Sequence, residues 1–462
     1  MPNLFAYVML SLTPIWVMLA YPRFRPARAC AVLALAGLVL LPEKTTFKVS
    51  GVPELDKEGV LYASLFLATV IYSRSRWRAM RLEWVPRALL LLLVVGCSLT
   101  VLTNMDPLPV PEKIVPGHSP KDILLWVGED ALLYIIPFVI GRMMFRTPGD
   151  LRALLVALAL AGLLCALPIL FEVRMSPQLH NMLYGFHQNN FAKNYRWGGF
   201  RPILFMRSGL AMGVFMVSTA VAAATLFHMR ARRAPGGGST LLLSLLIVAC
   251  KSTGSIVYGM LFVPLAAFAS IKNQRRALMF CLALTATYPF MRTMGSGPTD
   301  LAVEFFRGIS TERAQSLLYR FDNENAAMRK VEERFFFGWG TYSRNRVYDE
   351  MGKFETVYDA FWMRIMTQRG LVGWLTIYSL LAFPLFKLIR TKIPLPRHRV
   401  LAHGFGIVLA VRLLDLMQNG FYTSFVVLMA GALLGALPAL SEPTPTAAPR
   451  DCARSQFGRA AA

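Results

Sequence analysis

Residues 209–227 read GLAMGVFMVSTAVAAATLF, without a single charge. About 20 residues at roughly 1.5 Å rise per residue cross a hydrocarbon core, so this stretch predicts a membrane-spanning helix. Working outward, 88–102 and 421–440 are also uncharged, and 151–171 is nearly so. In lipid the backbone must satisfy its own polar groups, which favours helices throughout. Hydrophobic residues make up 55% of the 462 and charged residues only 16%. Soluble globular chains carry roughly 25% charged residues, so the deficit points to lipid as solvent.

The resulting fold class is an all-α polytopic transmembrane helical bundle. About 12–13 spans are expected, near 4–20, 28–42, 59–73, 88–103, 126–145, 151–171, 203–228, 239–251, 254–271, 277–291, 368–388, 400–417 and 422–440. The pair 239–251 and 254–271 is short and reads equally as a re-entrant pair or a broken helix. Four regions follow: ten spans with short loops over 1–291, a large helical loop over 292–367, the C-terminal spans over 368–440, and a disordered tail over 441–462 rich in Pro, Ala and Arg. The first apolar run lacks a basic n-region and reads as a retained helix.

A net charge of +23 would suit a nucleic-acid binder, but Lys and Arg sit mainly in short stretches between apolar runs, which is membrane topology. Alternate loops hold about half of the 49 basic residues, including Arg74, Arg76, Arg78, Arg81 and Arg87 in one loop. The positive-inside rule makes that set cytoplasmic, with the N-terminus outside and the C-terminus inside. The six cysteines form no CxxC pair and read as small apolar packing residues. No internal repeat is visible, which weakens an inverted-repeat transporter.

Three longer loops then face outward, at 104–125, 172–202 and 292–367. The last shows helical periodicity at Leu301, Phe305 and Ile309, then Ala314, Leu317 and Leu318, then Ala326, Ala327 and Val331. It is rich in arginine, and guanidinium groups bind phosphate bidentately. The same charges also suit solvated helix faces paired with Glu312, Glu324, Glu332 and Glu333. Tyr195, Trp197 and Phe200 fit an interfacial belt or stacking on sugar rings. Arg201 and Arg207 lie near the outer end of a span, and Arg412 and Asp415 share one helical face toward the outer leaflet. Charges at such depth face a cavity or a partner.

The segments ERAQSLLYRFDNENAAMRKVEERFFFGWGTYSR (312–344) and VYDAFWMRIMTQRGLVGWLTIYSLLAF (357–383) resemble the O-antigen ligase / O-antigen polymerase family of membrane glycan transferases. Gly338-Trp339-Gly340 is similar to that family's outer-loop turn, and Gly370-Leu371-Val372-Gly373 to its helix entry. The stretch around Gly141-Arg142 and Arg201-Pro202 agree more weakly, and Arg329 with Gly340 fits a polymerase spacing. Related ligases keep a histidine in this loop; the position falls here on Asp359, and no histidine occurs between His228 and His398. Outward histidines occur only earlier, at His118, His180 and His187. A carboxylate can accept a proton from a sugar hydroxyl, or Asp359 can cap the following helix.

The resemblance implies a metal-independent inverting transfer in the bacterial inner membrane. A glycan would leave an undecaprenyl-diphosphate carrier for an acceptor glycan hydroxyl, with arginines stabilising the leaving diphosphate. It implies Asp359 as catalytic residue and Arg201, Arg313, Arg320 and Arg329 as diphosphate ligands. Arg207, Arg412 and Asp415 would be further outer-leaflet charges, with membrane lipids as partners and no metal, cofactor or nucleic acid. A secondary transporter or flippase-like protein, or a non-catalytic scaffold of a polysaccharide assembly system, are the competing readings.

Overall fold

The computed structural model describes residues 1–48, 51–231, 234–293, 303–304, 307–308 and 311–442, less the side chains of residues 193, 293, 312, 313 and 316. Eight helices are long and apolar enough to cross a membrane: Leu4–Arg23, Trp84–Leu102, Pro120–Met144, Pro148–Met175, Gly209–His228, Phe361–Arg390, Pro396–Gln418 and Ser424–Ser441. Shorter apolar helices at Pro26–Leu40, Gly237–Ala249 and Thr253–Phe268, with Lys57–Tyr72 and Ile271–Thr293, take the remaining expected positions. The chain is therefore a multi-pass membrane protein of all-α class. Strands among the described residues are confined to two antiparallel hairpins, Leu108–Val110 with Lys113–Val115 and Tyr195–Arg196 with Gly199–Phe200. Residues 443–462, and with them almost all of the expected tail, lie outside the described residues, as do Leu301, Phe305 and Ile309.

The stretch 209–227 belongs to the centre of the bundle. Helices Gly209–His228, Pro396–Gln418 and Ser424–Ser441 are the most enclosed of the eight; the first and last are apolar on every side, while the second buries Arg412 and Asp415. In the first of them hydroxyls back-bond one turn along: Ser218 Oγ donates to the Val214 carbonyl at 3.0 Å and Thr225 Oγ1 to that of Val221 at 2.8 Å. The five described cysteines are buried and free, consistent with a packing role.

The connecting segments meet one another in two sets of contacts. In one the N-terminus meets the loop after Pro148–Met175, with Asn3 N donating to Tyr184 O at 3.0 Å, and Lys57 pairs with Glu43 at 2.5 Å. Arg334 adds a pairing with Asp106 at 2.9 Å to this set. In the other, the arginine-rich connections come together: Arg146 donates to the Ala79 carbonyl at 2.9 Å, and Lys387 pairs with Glu83.

The large loop is anchored by its two glycine motifs, which form a single joint. Trp339 N and Gly340 N donate to the carbonyls of Thr367 and Gln368, both at 2.9 Å. In return Leu371 N and Val372 N donate to Phe335 O at 2.8 Å and Phe336 O at 3.1 Å. This exchange breaks the helix Phe361–Arg390 at Gly370, whose φ is 63°. The ordered helix thus starts before the expected 368, and residues 361–369 form a separate short wall ahead of the span. A Cβ on Gly370 would lie 2.4 Å from the Phe336 carbonyl. Left-handed φ in a non-glycine residue costs about 1–3 kcal/mol before any clash is counted. Gly370→Ala is therefore expected to lower stability by more than that, read as a fall in thermal midpoint of the detergent-solubilised chain; an unchanged midpoint would contradict the joint.

Candidate functional site

Three cavities lie near one another: the first two share Arg320, and residues 360–369 contribute to the walls of the second and third. The first, about 180 Å³, is lined by Arg196, Arg201, Arg320, Asp415, Gln418 and Asn419. Arg201 is brought there by the Tyr195–Phe200 hairpin region, with its own N–H donating to Asn194 O at 2.7 Å. Its side chain is 5% exposed, donates through Nη2 to the Lys251 carbonyl at 2.8 Å, and leaves Nε without a protein partner. Burial, with Arg196 adding to it, pulls its pKa down to about 10, so it remains cationic at neutral pH. Asp415 is already committed: Asn419 Nδ2 donates to Oδ1 at 2.6 Å and Arg412 stands 3.9 Å from Oδ2. The chamber is accordingly dominated by positive charge.

The second cavity, about 520 Å³, is mostly apolar, with Leu284, Phe321, Met363 and Leu414 in its wall together with Arg320 and Asp359. Its polar rim is fixed by Arg292, which bonds Glu324 at 2.9 Å and Asn325 at 2.7 Å, and by Tyr288 donating to Glu324 at 3.0 Å. Arg320, half-buried, lines both chambers. Asp359 is exposed, and Ala360 rather than Asp359 takes the N-cap position of the next helix, with no side-chain cap. The capping alternative for Asp359 is thereby removed.

A third cavity, about 310 Å³, takes Arg207 with Arg364 and Arg369. Arg364 Nη2 donates to Gly420 O at 3.2 Å, and Arg369 pairs with the buried Asp130 at 2.5 Å. Arg412 borders a smaller void of about 30 Å³.

Of the residues singled out from sequence, Arg201, Arg320 and Asp415 come together, Asp359 joins Arg320 next door, and Arg207 faces the separate third chamber. Arg329 is exposed and lines none of these three cavities. The side chain of Arg313 lies outside the described residues. Arg196, Gln418, Arg364 and the Asp130–Arg369 pair were not singled out. For Asp130 a signal existed, an acid inside a predicted span, which requires a buried partner.

Of the three earlier histidines His187 is exposed, while His180 and His118 are engaged in structure. His180 accepts from Glu43 N at 3.2 Å through Nε2, with Nδ1 2.9 Å from the Phe186 carbonyl. His118 pins the 104–119 loop to the glycine turn: Nδ1 lies 3.3 Å from Asp122 Oδ2, and Nε2 accepts from Thr341 N at 3.2 Å. Burial holds the His118 imidazole below its ordinary pKa, against the opposing pull of Asp122. A neutral ring is what an accepting Nε2 requires. The stability it contributes is present above the unfolded value of about 6.5 and lost as pH falls through the depressed folded value. Between pH 7 and pH 5 the Thr341 amide is expected to lose hydrogen-exchange protection, after correction for intrinsic exchange. His118→Gln should show a flat profile; equal pH dependence in that variant would refute the assignment.

No protein-family model and no curated protein matches the chain. Among the described residues, no group of three or more His, Cys, Asp or Glu is placed to hold a metal ion.

Proposed function

We propose that the chain is an integral membrane glycan transferase of O-antigen polymerase/ligase type. It moves a glycan from a polyprenyl-diphosphate carrier to an acceptor hydroxyl on the extracytoplasmic side. The observation that carries this reading is Arg320, shared by a cationic chamber and a larger apolar one. A carrier lipid has the same two-part character, a diphosphate head and an isoprenoid tail. Arg196, Arg201 and Arg320 would hold the head by charge-assisted hydrogen bonds and stabilise the negative charge that grows as the anomeric bond breaks. Asp359, free of capping duty and close enough to share a chamber with Arg320, would take the proton from the attacking hydroxyl. Orientation follows from the arginine content of the short loops.

The test is genetic and chemical. Cells carrying Arg201→Ala, Arg320→Ala or Asp359→Asn separately should accumulate undecaprenyl-linked glycan and lose or shorten surface polysaccharide. Normal surface glycan in all three strains would sink the proposal.

A further inference from the structure

Where the first cavity is dominated by positive charge, the third is electrically balanced. Among the described residues, four bases line it, Lys57, Arg207, Arg364 and Arg369, and four acids, Glu43, Asp56, Glu58 and Glu129. Several of these are already engaged. Lys57 holds Glu43 at 2.5 Å, and Arg369 holds Asp130. Asp56 Oδ1 accepts from Glu58 N and Gly59 N at 3.0 and 2.9 Å, and Glu58 accepts from Ser424 N at 2.6 Å. Arg207, Arg364 and Glu129 have no ion-pair partner among the described residues. Gln368 adds an amide to the same wall.

One side of the chamber is aromatic. Phe361 and Tyr422 stack at 4.9 Å with 9° between planes, and Tyr134 lies 5.1 Å from Tyr422. The volume of about 310 Å³ falls within the range of small-molecule sites, about 300–1,000 Å³.

These features discriminate among ligands. A phosphate offers only acceptors and would meet four carboxylates. A cation would meet four bases. A sugar ring carries hydroxyls that each donate and accept, so it can use Arg207 and Arg364 as donors, Glu129 as acceptor and Gln368 as both. Its C–H faces suit the aromatic wall. We propose that this cavity binds an uncharged saccharide, the acceptor glycan of the transfer reaction; the word acceptor rests on the transferase reading, the sugar site itself on the lining. Residues 361, 364, 365 and 368 face it at helical spacing, while Ala360 and Met363 face the apolar chamber, so donor and acceptor would be held on the two sides of one short wall.

Binding to the purified full-length chain in detergent tests this, with two probes. One is the uncharged oligosaccharide fraction cleaved from the source cells' lipid-linked glycans; the other is undecaprenyl diphosphate. Wild type should retain both. Arg207→Gln and Glu129→Gln, exposed side chains whose change leaves packing intact, should each weaken oligosaccharide binding by about tenfold or more, and leave undecaprenyl diphosphate binding unchanged. Arg320→Ala should do the reverse. Failure of wild type to retain the uncharged fraction, retention of acidic oligosaccharides only, or wild-type sugar binding in both cavity variants overturns the assignment. If Arg320→Ala binds undecaprenyl diphosphate normally while the cavity variants lose sugar, the donor site fails and the saccharide site stands.

Discussion

Arg320→Ala should lower the rate of glycan transfer by about 10²–10³-fold, the loss typical of deleting one preorganised group that meets developing charge. The residue sits where the cationic and apolar chambers meet, so no neighbour can substitute for it from the same position. Because it is half-buried and outside the apolar core, the folded chain should survive the change, and the thermal midpoint should stay near that of wild type. Arg320→Lys keeps the charge but loses the planar fork, so an intermediate rate is expected. Single-turnover transfer from a radiolabelled undecaprenyl-diphosphate oligosaccharide gives the readout. A rate for Arg320→Ala within twofold of wild type would contradict a role at the diphosphate.

The second large effect concerns stability. Asp130 is fully buried and its pairing with Arg369 lies beside the break at Gly370. Asp130→Ala would strand a guanidinium of which only 12% is exposed, and removing one partner of a buried pair costs about 3–5 kcal/mol. Replacing both, as Asp130→Leu with Arg369→Met, removes the desolvation cost of both charges and should recover most of the loss. Thermal unfolding followed by size-exclusion of the solubilised protein measures both. A single variant as stable as wild type would show that the pair carries no such weight.

Much of this architecture was legible in the residues. Uncharged runs such as 209–227 and 421–440 became the buried helices, because length and apolarity leave a chain few alternatives in lipid. Arg412 and Asp415, three apart, do lie together at 3.9 Å. Gly338-Trp339-Gly340 stood out as a turn and Gly370-Leu371-Val372-Gly373 as a helix entry, yet their mutual docking could not be read, since each motif alone indicates only local backbone freedom. Arg329 illustrates a different limit. It lies nine residues beyond Arg320 in one helix, about two and a half turns at roughly 3.6 residues per turn, which puts it on the opposite face. Composition drew both arginines to attention, and helix geometry separates them. The Asp130–Arg369 pair was hidden for a third reason: its members lie on different helices far apart in the chain, and nothing local in either segment names the other.

The short wall of residues 361–369 carries a thermodynamic consequence. It faces one chamber through Phe361, Arg364 and Gln368 and the other through Met363, and it is tethered at both ends, by Phe361 N to Asn419 O and by the glycine joint. Whatever free energy one occupant spends in displacing it is charged equally to the other, so any factor by which filling the first chamber alters affinity in the second must reappear, unchanged, in the reverse order of filling.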